Sequence, residues 1–156
     1  MKVQVIALRW KWLFLYPEQG IASLNFLQIP QDTSIHFEIT SDAPMNSFWI
    51  PELGGQIYAM AGMRSQLYLI ANKAGEYRGS SANISGKGFS SMTFQTIASS
   101  EEDFEKWVQT VKNSPKSLNA AEYNKLLEPS EYNPPAFYVL KEKNLFDNTI
   151  MKYMKP

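Results

Sequence analysis

The opening of the chain alternates. Ile6, Leu8, Trp10, Trp12, Phe14 and Tyr16 hold even positions, with Arg9 and Lys11 between them. A two-residue hydrophobic period predicts a β-strand with one buried face. "YPEQG" supplies the turn, with Pro17 and Gly20 as punctuation. A second strand is expected around residues 21–29. After the turn "IPQDT", the stretch "SIHFEIT" alternates again, with Ile35, Phe37 and Ile39 inward and His36 on the solvent-facing side. Further short strands are expected at 48–50, 57–60, 65–70, 76–79 and 90–97. Many short strands separated by Gly and Pro turns predict a mainly β protein, a β-sandwich or barrel.

The period changes at Ser99. In "SSEEDFEKWVQTVKNSP", Phe104, Trp107, Val108 and Val111 fall on one helical face. Ser99 with Glu102 reads as a capping box, and Pro115 closes the segment. Asn119 with Glu122 starts a second helix carrying Tyr123, Leu126 and Leu127. "PSEYNPPAFY" reads as an irregular connector. Asn144 caps a third helix with Leu145, Ile150 and Met154 on one side. The expected organisation is a β domain over residues 1–98 and a C-terminal helical arm over 99–156.

Composition narrows the chemistry. Apolar residues make up 44% of the 156 and aromatics 13%, enough for a packed core. Fifteen basic residues balance fifteen acidic ones without a basic stripe, which argues against nucleic acid as a partner. The absence of cysteine removes disulfides, zinc ribbons, iron–sulfur clusters and thiol nucleophiles together. Glu18, Asp42 and Glu52 suggest no paired acid and base, and no nucleophile elbow, phosphate loop or dinucleotide fingerprint is present. No apolar run approaches the length of a membrane span, and the first residues lack a signal-peptide pattern. The chain begins almost directly inside a strand, as expected of an expressed fragment with an added Met1.

Three stretches carry a family resemblance: "RWKWLFLYPEQGIA" (Arg9–Ala22), "MNSFWIPELGGQIYAMAGM" (Met45–Met63) and "YRGSSANISGKGFSSMTF" (Tyr77–Phe94). Together they resemble subunit II of heme–copper oxidases, in the quinol-oxidase branch of cytochrome bo type. "LLEPSEYNPPAFY" (Leu126–Tyr138) is similar to that branch's C-terminal arm. The resemblance implies a cupredoxin-like Greek-key sandwich. In relatives that oxidise cytochrome c, this domain holds a binuclear copper centre, CuA. Carried onto this chain, the side-chain ligand positions fall at Asn46, Ser81, Ser85, Phe89 and Met92, and the backbone-carbonyl position at Asn83. Only Met92 keeps a ligand side chain. CuA needs two bridging thiolates, and serine hydroxyls and a phenylalanine supply none. A vestigial, metal-free site is expected.

The resemblance then implies a non-redox structural subunit of a proton-pumping ubiquinol oxidase, with no cofactor in this domain. The hemes and copper belong to subunit I. The implied partners are subunit I and the other oxidase subunits. Membrane attachment runs through an upstream transmembrane hairpin, and the domain faces the periplasm from the bacterial inner membrane. Asn46, Trp49, Pro51, Met60, Met63 and Phe89, on the loop edges, are the expected contact surface. Trp10 aligns with the aromatic that passes electrons into CuA in those relatives. With its acceptor replaced, it is expected to be buried beside Trp12. The alternative reading is a periplasmic Cu(I) carrier using Met45, Met60, Met63 and Met92, since thioethers suit Cu(I), although methionine more often fills cores and interfaces. A free-standing adhesion or carbohydrate module is disfavoured by the arm.

Overall fold

Arg9 and Trp10 break the alternating opening into a hairpin. In the computed structural model, which describes residues 1–43, 46–81 and 92–154, β1 (Lys2–Leu8) and β2 (Lys11–Tyr16) pair antiparallel around those two residues. The predicted single strand is therefore two. Trp10 sits at the turn with φ of 96° and is only half-buried, which corrects its expected burial in the sandwich. The consequence is a change of parity. Ala7 faces Trp12 and Val5 faces Phe14, whereas Ile6 faces Leu13. Side chains paired across a ladder share a face, so the even residues of β1 and the even residues of β2 lie on opposite sides of the sheet.

The predicted strand at 21–29 also divides. β3 (Ile21–Leu24) and β4 (Phe26–Pro30) flank Asn25, whose φ is 55°, and the chain changes sheet there. Then follow β5 (Ile35–Ser41), β6 (Asn46–Ile50), β7 (Gly55–Ala59), β8 (Ser65–Leu69), β9 (Gly75–Ser81) and β10 (Thr93–Ser99). The C-terminal part holds α1 (Glu101–Lys112), β11 (Ser117–Leu118), α2 (Ala120–Leu126), β12 (Ala136–Leu140) and α3 (Leu145–Lys152). Among the described residues one sheet runs β11-β12-β3-β2-β1-β5-β8 and the other β4-β10-β9-β6-β7. The expected sandwich is present. The supposed irregular connector contributes β12, which pairs antiparallel with β3.

Two apolar cores result. The first lies between the sheets and holds Val5, Trp12, Phe14, Phe37, Phe48 and Phe94 with their neighbours. Phe48 and Phe94 stack with centroids 5.4 Å apart, and Trp12 meets both edge-on. Helix α1 adds Phe104, Val108 and Val111 to this core. The second core lies on the other face of the larger sheet. There Ile6, Leu8, Leu13, Leu15, Ala22 and Leu24 meet Leu118, Tyr123, Tyr138, Leu145, Phe146 and Ile150. Strand β2 is consequently buried along its whole length, where the alternation predicts one buried face. The arm covers the other.

Helix ends follow local hydrogen bonding, with small corrections. The cap of α1 is Ser100, whose hydroxyl accepts from the Asp103 amide, one residue later than the expected Ser99–Glu102 box. Asn119 caps α2 as expected, accepting from the Glu122 amide at 2.9 Å. Asn144 precedes α3 without a side-chain cap bond, and Met154 lies past the helix end, 66% exposed. His36 lies on the solvent-facing side of β5 as expected, half-buried because its ring stacks on the exposed Tyr68 and its Nε2 bonds Gln66 at 2.8 Å.

Candidate functional site at the loop end of the sandwich

Strand directions gather the chemically suggestive positions at one end. Strand β1 runs toward the Arg9–Trp10 turn, and parallel β5 reaches the same level, where the Asp42 amide donates to the Ala7 carbonyl at 2.9 Å. Asn46 opens β6 and pairs with Ala59 at the close of β7, which brings Met60 alongside. Ser81 closes β9, and its amide donates to the Met92 carbonyl across the ladder at 3.2 Å. The Trp12 indole donates to that same carbonyl at 3.2 Å.

Three of the six vestigial copper positions fall within the described residues, and they converge. The Ser81 hydroxyl donates to Asn46 Oδ1 at 2.9 Å, both residues being buried, while Met92 is fully buried one ladder bond away. Asn83, Ser85 and Phe89 lie outside the described residues. The amide–hydroxyl pair offers a copper ion only neutral oxygen donors, and a lone thioether does not replace bridging thiolates. The residues present do not fit a binuclear copper centre. The chain's single histidine cannot help, since His36 pairs with Lys2 at the opposite end of β5. Among the described residues no group of three or more His, Cys, Asp or Glu is placed to hold a metal.

The expected contact residues separate along the strands. Asn46 is buried, so it is not surface. Trp49 is half-buried, and Pro51, although exposed, lies at the far end of β6 from Asn46. Strand periodicity turns Asn46 and Trp49 to opposite faces of β6. Met60 and Met63 remain at the loop end, half-buried and 52% exposed respectively. Phe89 is outside the described residues. The methionines proposed for Cu(I) occupy different environments: Met92 is fully buried, Met63 is exposed, and Met45 is not described.

Sequence reasoning missed a set of charged anchors that join the arm to this end. Asp42 accepts from the Tyr123 hydroxyl at 2.7 Å, from Lys152 Nζ at 2.6 Å and from the Tyr153 hydroxyl. Burial pushes its pKa up, but these three donors and the Lys152 charge outweigh it and hold the carboxyl below its ordinary value. Burial and the nearby carboxylate push the Tyr123 phenol far up, and Tyr153 is raised to about 12 by burial and the Asp42 bond. Arg64 bridges the buried Glu38 and Asp147 of α3, its guanidinium 5.2 Å from the Phe146 ring centroid. Glu38 is likewise pushed up by burial but lowered overall by bonds from Gln4 and Arg64 and the charges of Arg64 and Lys2. Lys11, buried in β2, donates to the Glu128 carbonyl at 2.8 Å and the Ser130 hydroxyl at 2.6 Å. Burial lowers its pKa, partly offset by the Glu128 charge. The only sequence signal was a lysine inside an apolar strand.

Comparison with known proteins agrees with this geometry. Residues 20–99, 80 of the 156, match the family described as cytochrome c oxidase subunit II, periplasmic domain, and residues 112–156 match the COX aromatic-rich motif. The chain is 56% identical over 153 residues to cytochrome bo(3) ubiquinol oxidase subunit 2 of Pseudomonas putida, covering 98% of this chain and 49% of that protein. It is 53% identical over 153 residues to ubiquinol oxidase subunit 2 of Acetobacter aceti, covering 98% and 50%. The chain thus spans about half the length of the curated relatives it matches. A solved structure of the periplasmic domain of cytochrome oxidase subunit II (CoxB) from Bradyrhizobium japonicum superposes with a TM-score of 0.67 at 21% identity. It covers 70% of this chain and 91% of its own, a likeness of fold that leaves close to a third of this chain without a counterpart. Fold and sequence therefore agree that the chain belongs to the family of cytochrome c oxidase subunit II periplasmic domains.

Proposed function

We propose that this chain is the periplasmic, non-redox domain of subunit II of a proton-pumping ubiquinol oxidase, the complex that oxidises ubiquinol and reduces oxygen to water. The oxidase part of this reading is supported by relatives: proteins 56% and 53% identical over 153 residues carry the names cytochrome bo(3) ubiquinol oxidase subunit 2 and ubiquinol oxidase subunit 2. The remainder is supported by donor chemistry. The observation that carries it is the Asn46–Ser81 pair, neutral groups bonded to each other where the resemblance puts a histidine and a cysteine. Electrons from a membrane quinol have no need to cross an outer domain, so the hemes and copper of the reaction belong to subunit I. Among the described residues, 1–98 supply ten strands of the sandwich, and the arm of residues 99–156 packs α1 on the inter-sheet core and adds β11 and β12 to the larger sheet. The half of the relatives' length outside this chain supplies the membrane hairpin. The loop end, with Met60 and Met63, rests on subunit I and the other subunits.

Two measurements test the reading. The purified chain is exposed to Cu(I) and Cu(II), then dialysed and assayed for retained metal, visible absorption and paramagnetic resonance. The expected result is no stoichiometric copper and no thiolate charge-transfer colour. One tightly held Cu(I) per chain overturns it in favour of a methionine-based carrier. In cells making the whole complex, Met63→Asp is expected to reduce co-purification of heme with this subunit, and undiminished heme recovery counts against the loop end as the docking face.

A further inference from the structure

Every described connection at the loop end is held by the C-terminal arm. The Arg9–Trp10 turn is gripped where the Ser130 amide donates to the Arg9 carbonyl at 3.3 Å and Lys11 reaches Glu128 and Ser130. The sheet-switching Asn25 donates its amide to the Asn133 carbonyl at 3.1 Å. Asp42, which leads toward Asn46, is held by Tyr123, Lys152 and Tyr153. The Met60–Arg64 loop meets the tip of α3. Gly62 has φ of 77°, and a Cβ there would stand 3.1 Å from the Tyr153 Cβ, while Arg64 pairs with Asp147. These four segments are far apart in sequence, and the arm touches each one.

We infer that the arm is a metal-free brace, a positioning element that fixes the loop end in a single arrangement. In a metalloprotein a bound ion cross-links the loops that supply its ligands, and its binding energy becomes folding energy. The donor set here cannot recruit copper, so any order at this end must come from protein contacts. Asp42 and Arg64 supply it with charge-assisted bonds, which are about twice as strong as neutral ones, and the largely buried position of the Asp42 side chain, 4% exposed, shields its bonds from solvent screening. The inference rests on the docking proposal only for the purpose of the brace. Its physical content is independent of any partner.

The test is amide hydrogen exchange on the 156-residue chain. The variant combines Asp147→Asn, Lys152→Met and Tyr153→Phe, whose side chains stand on the arm's outer surface, so the sandwich core is untouched. The reporting amides are Asp42, Ala43 and Met63, which donate to the Ala7 carbonyl, the Ser41 hydroxyl and the Met60 carbonyl. Exchange at these three is expected to rise about tenfold, equivalent to about 1.4 kcal/mol of local opening, with amides of β1 and β2 unchanged. Gly62→Ala displaces Tyr153 without touching any charge but also strains its own loop at positive φ, so it is read at Asp42 and Ala43 alone, where the same rise is expected. Unchanged loop exchange in both variants overturns the brace. So does a rise in which β1 and β2 follow in step, since the anchors then serve global stability alone. Exchange is read on the isolated chain, so a negative result removes the brace and leaves docking standing. Lost heme co-purification with protected loops does the reverse.

Discussion

Removing the arm should abolish folding, and the size of the effect can be worked from the second core. A chain ending at Asn113 loses everything that covers the outer face of the larger sheet. Ile6, Leu8, Leu13, Leu15 and Leu24, each at most 4% exposed, then face water. Full burial of one such side chain is worth about 1.5–3 kcal/mol, so the five together represent about 7–15 kcal/mol. Whole domains are stable by only about 5–15 kcal/mol. The truncation also leaves Lys11 without its two acceptors and opens the β3 edge, an invitation to intermolecular pairing.

The assay is urea unfolding of the full and truncated chains, followed by the fluorescence of the buried Trp12 and by size exclusion. The expected outcome for the truncated chain is no cooperative transition, with aggregation or dye binding typical of exposed apolar surface. A separately made peptide of residues 112–156 should restore a transition when added in excess. A truncated chain that unfolds cooperatively, within about 2 kcal/mol of the parent after linear extrapolation, refutes the reasoning. The outer-face side chains would then have to be covered by something other than the arm.

Other perturbations address single contacts. Gly79→Ala places a Cβ 2.0–2.4 Å from the Phe94 ring, and because Phe94 is locked between Phe48 and Trp12 it should lower the midpoint by the equivalent of at least about 2 kcal/mol; a neutral result by calorimetry means the ring can move. Asn25→Ala orphans the buried Trp12 amide, which now donates to Asn25 Oδ1 at 2.8 Å, and should cost about 2–3 kcal/mol in chemical denaturation, whereas a loss under about 0.5 kcal/mol dismisses the switch-point role. Asp42 and Glu38 have folded pKa values below their ordinary 3.8 and 4.5. A depressed carboxylate stabilises the fold above its unfolded pKa and loses that contribution as pH falls through the folded value. Stability should therefore decline from about pH 4.5 downward, and an Asp42→Asn, Glu38→Gln double variant should show a shallower acid slope; an identical slope contradicts the assignment. Finally, Asn46→His, Ser81→Cys, Ser85→Cys and Phe89→His together should give a coloured copper protein, and a folded variant that stays colourless with copper removes the ligand correspondence.

The sequence revealed the elements whose burial is one-sided or local. Strand β5 is legible because its apolar residues keep to one face: Ile35, Phe37 and Ile39 line the inter-sheet core, whereas the buried residues of the other face, Glu38 and Thr40, are polar. Helix α1 carries one apolar stripe, and the Asn119 cap is a three-residue interaction. The Arg9–Trp10 turn could not be read in this way. It contains no Gly, Pro or Asn, and positive φ is uncommon for a bulky residue. Even positions run unbroken from Ile6 to Tyr16, so the text shows one strand where the chain makes two. Strand β12 follows Pro134 and Pro135, whose turn signal outweighed the apolar run after them. The meeting of Asn46, Ser81 and Met92 falls at positions that the family spacing had singled out. The anchors at Asp42 and Arg64 were not, because their partners lie 81 to 111 residues away on the arm, beyond any local pattern.

The two-sided burial of β2 bears on what holds the loop end of this chain together. A cupredoxin that holds its loops by copper has little need of further cross-links at that end. Asn46 and Ser81 bond each other in the interior at this end, which avoids an unpaired buried polar group, but one neutral hydrogen bond contributes only about 1 kcal/mol. The larger stabilisation in this chain comes from elsewhere. It is an apolar second core on the outer face of the sheet, joined to the loop end by three charged side chains, Lys11, Asp42 and Arg64. Each of these sits on the sandwich and finds its partner on the arm. Apolar cover supplies most of the energy and the charged contacts fix the register, so substitutions at either should separate cleanly. Loss of cover unfolds the chain, whereas loss of an anchor loosens the loop end and leaves the sheets intact.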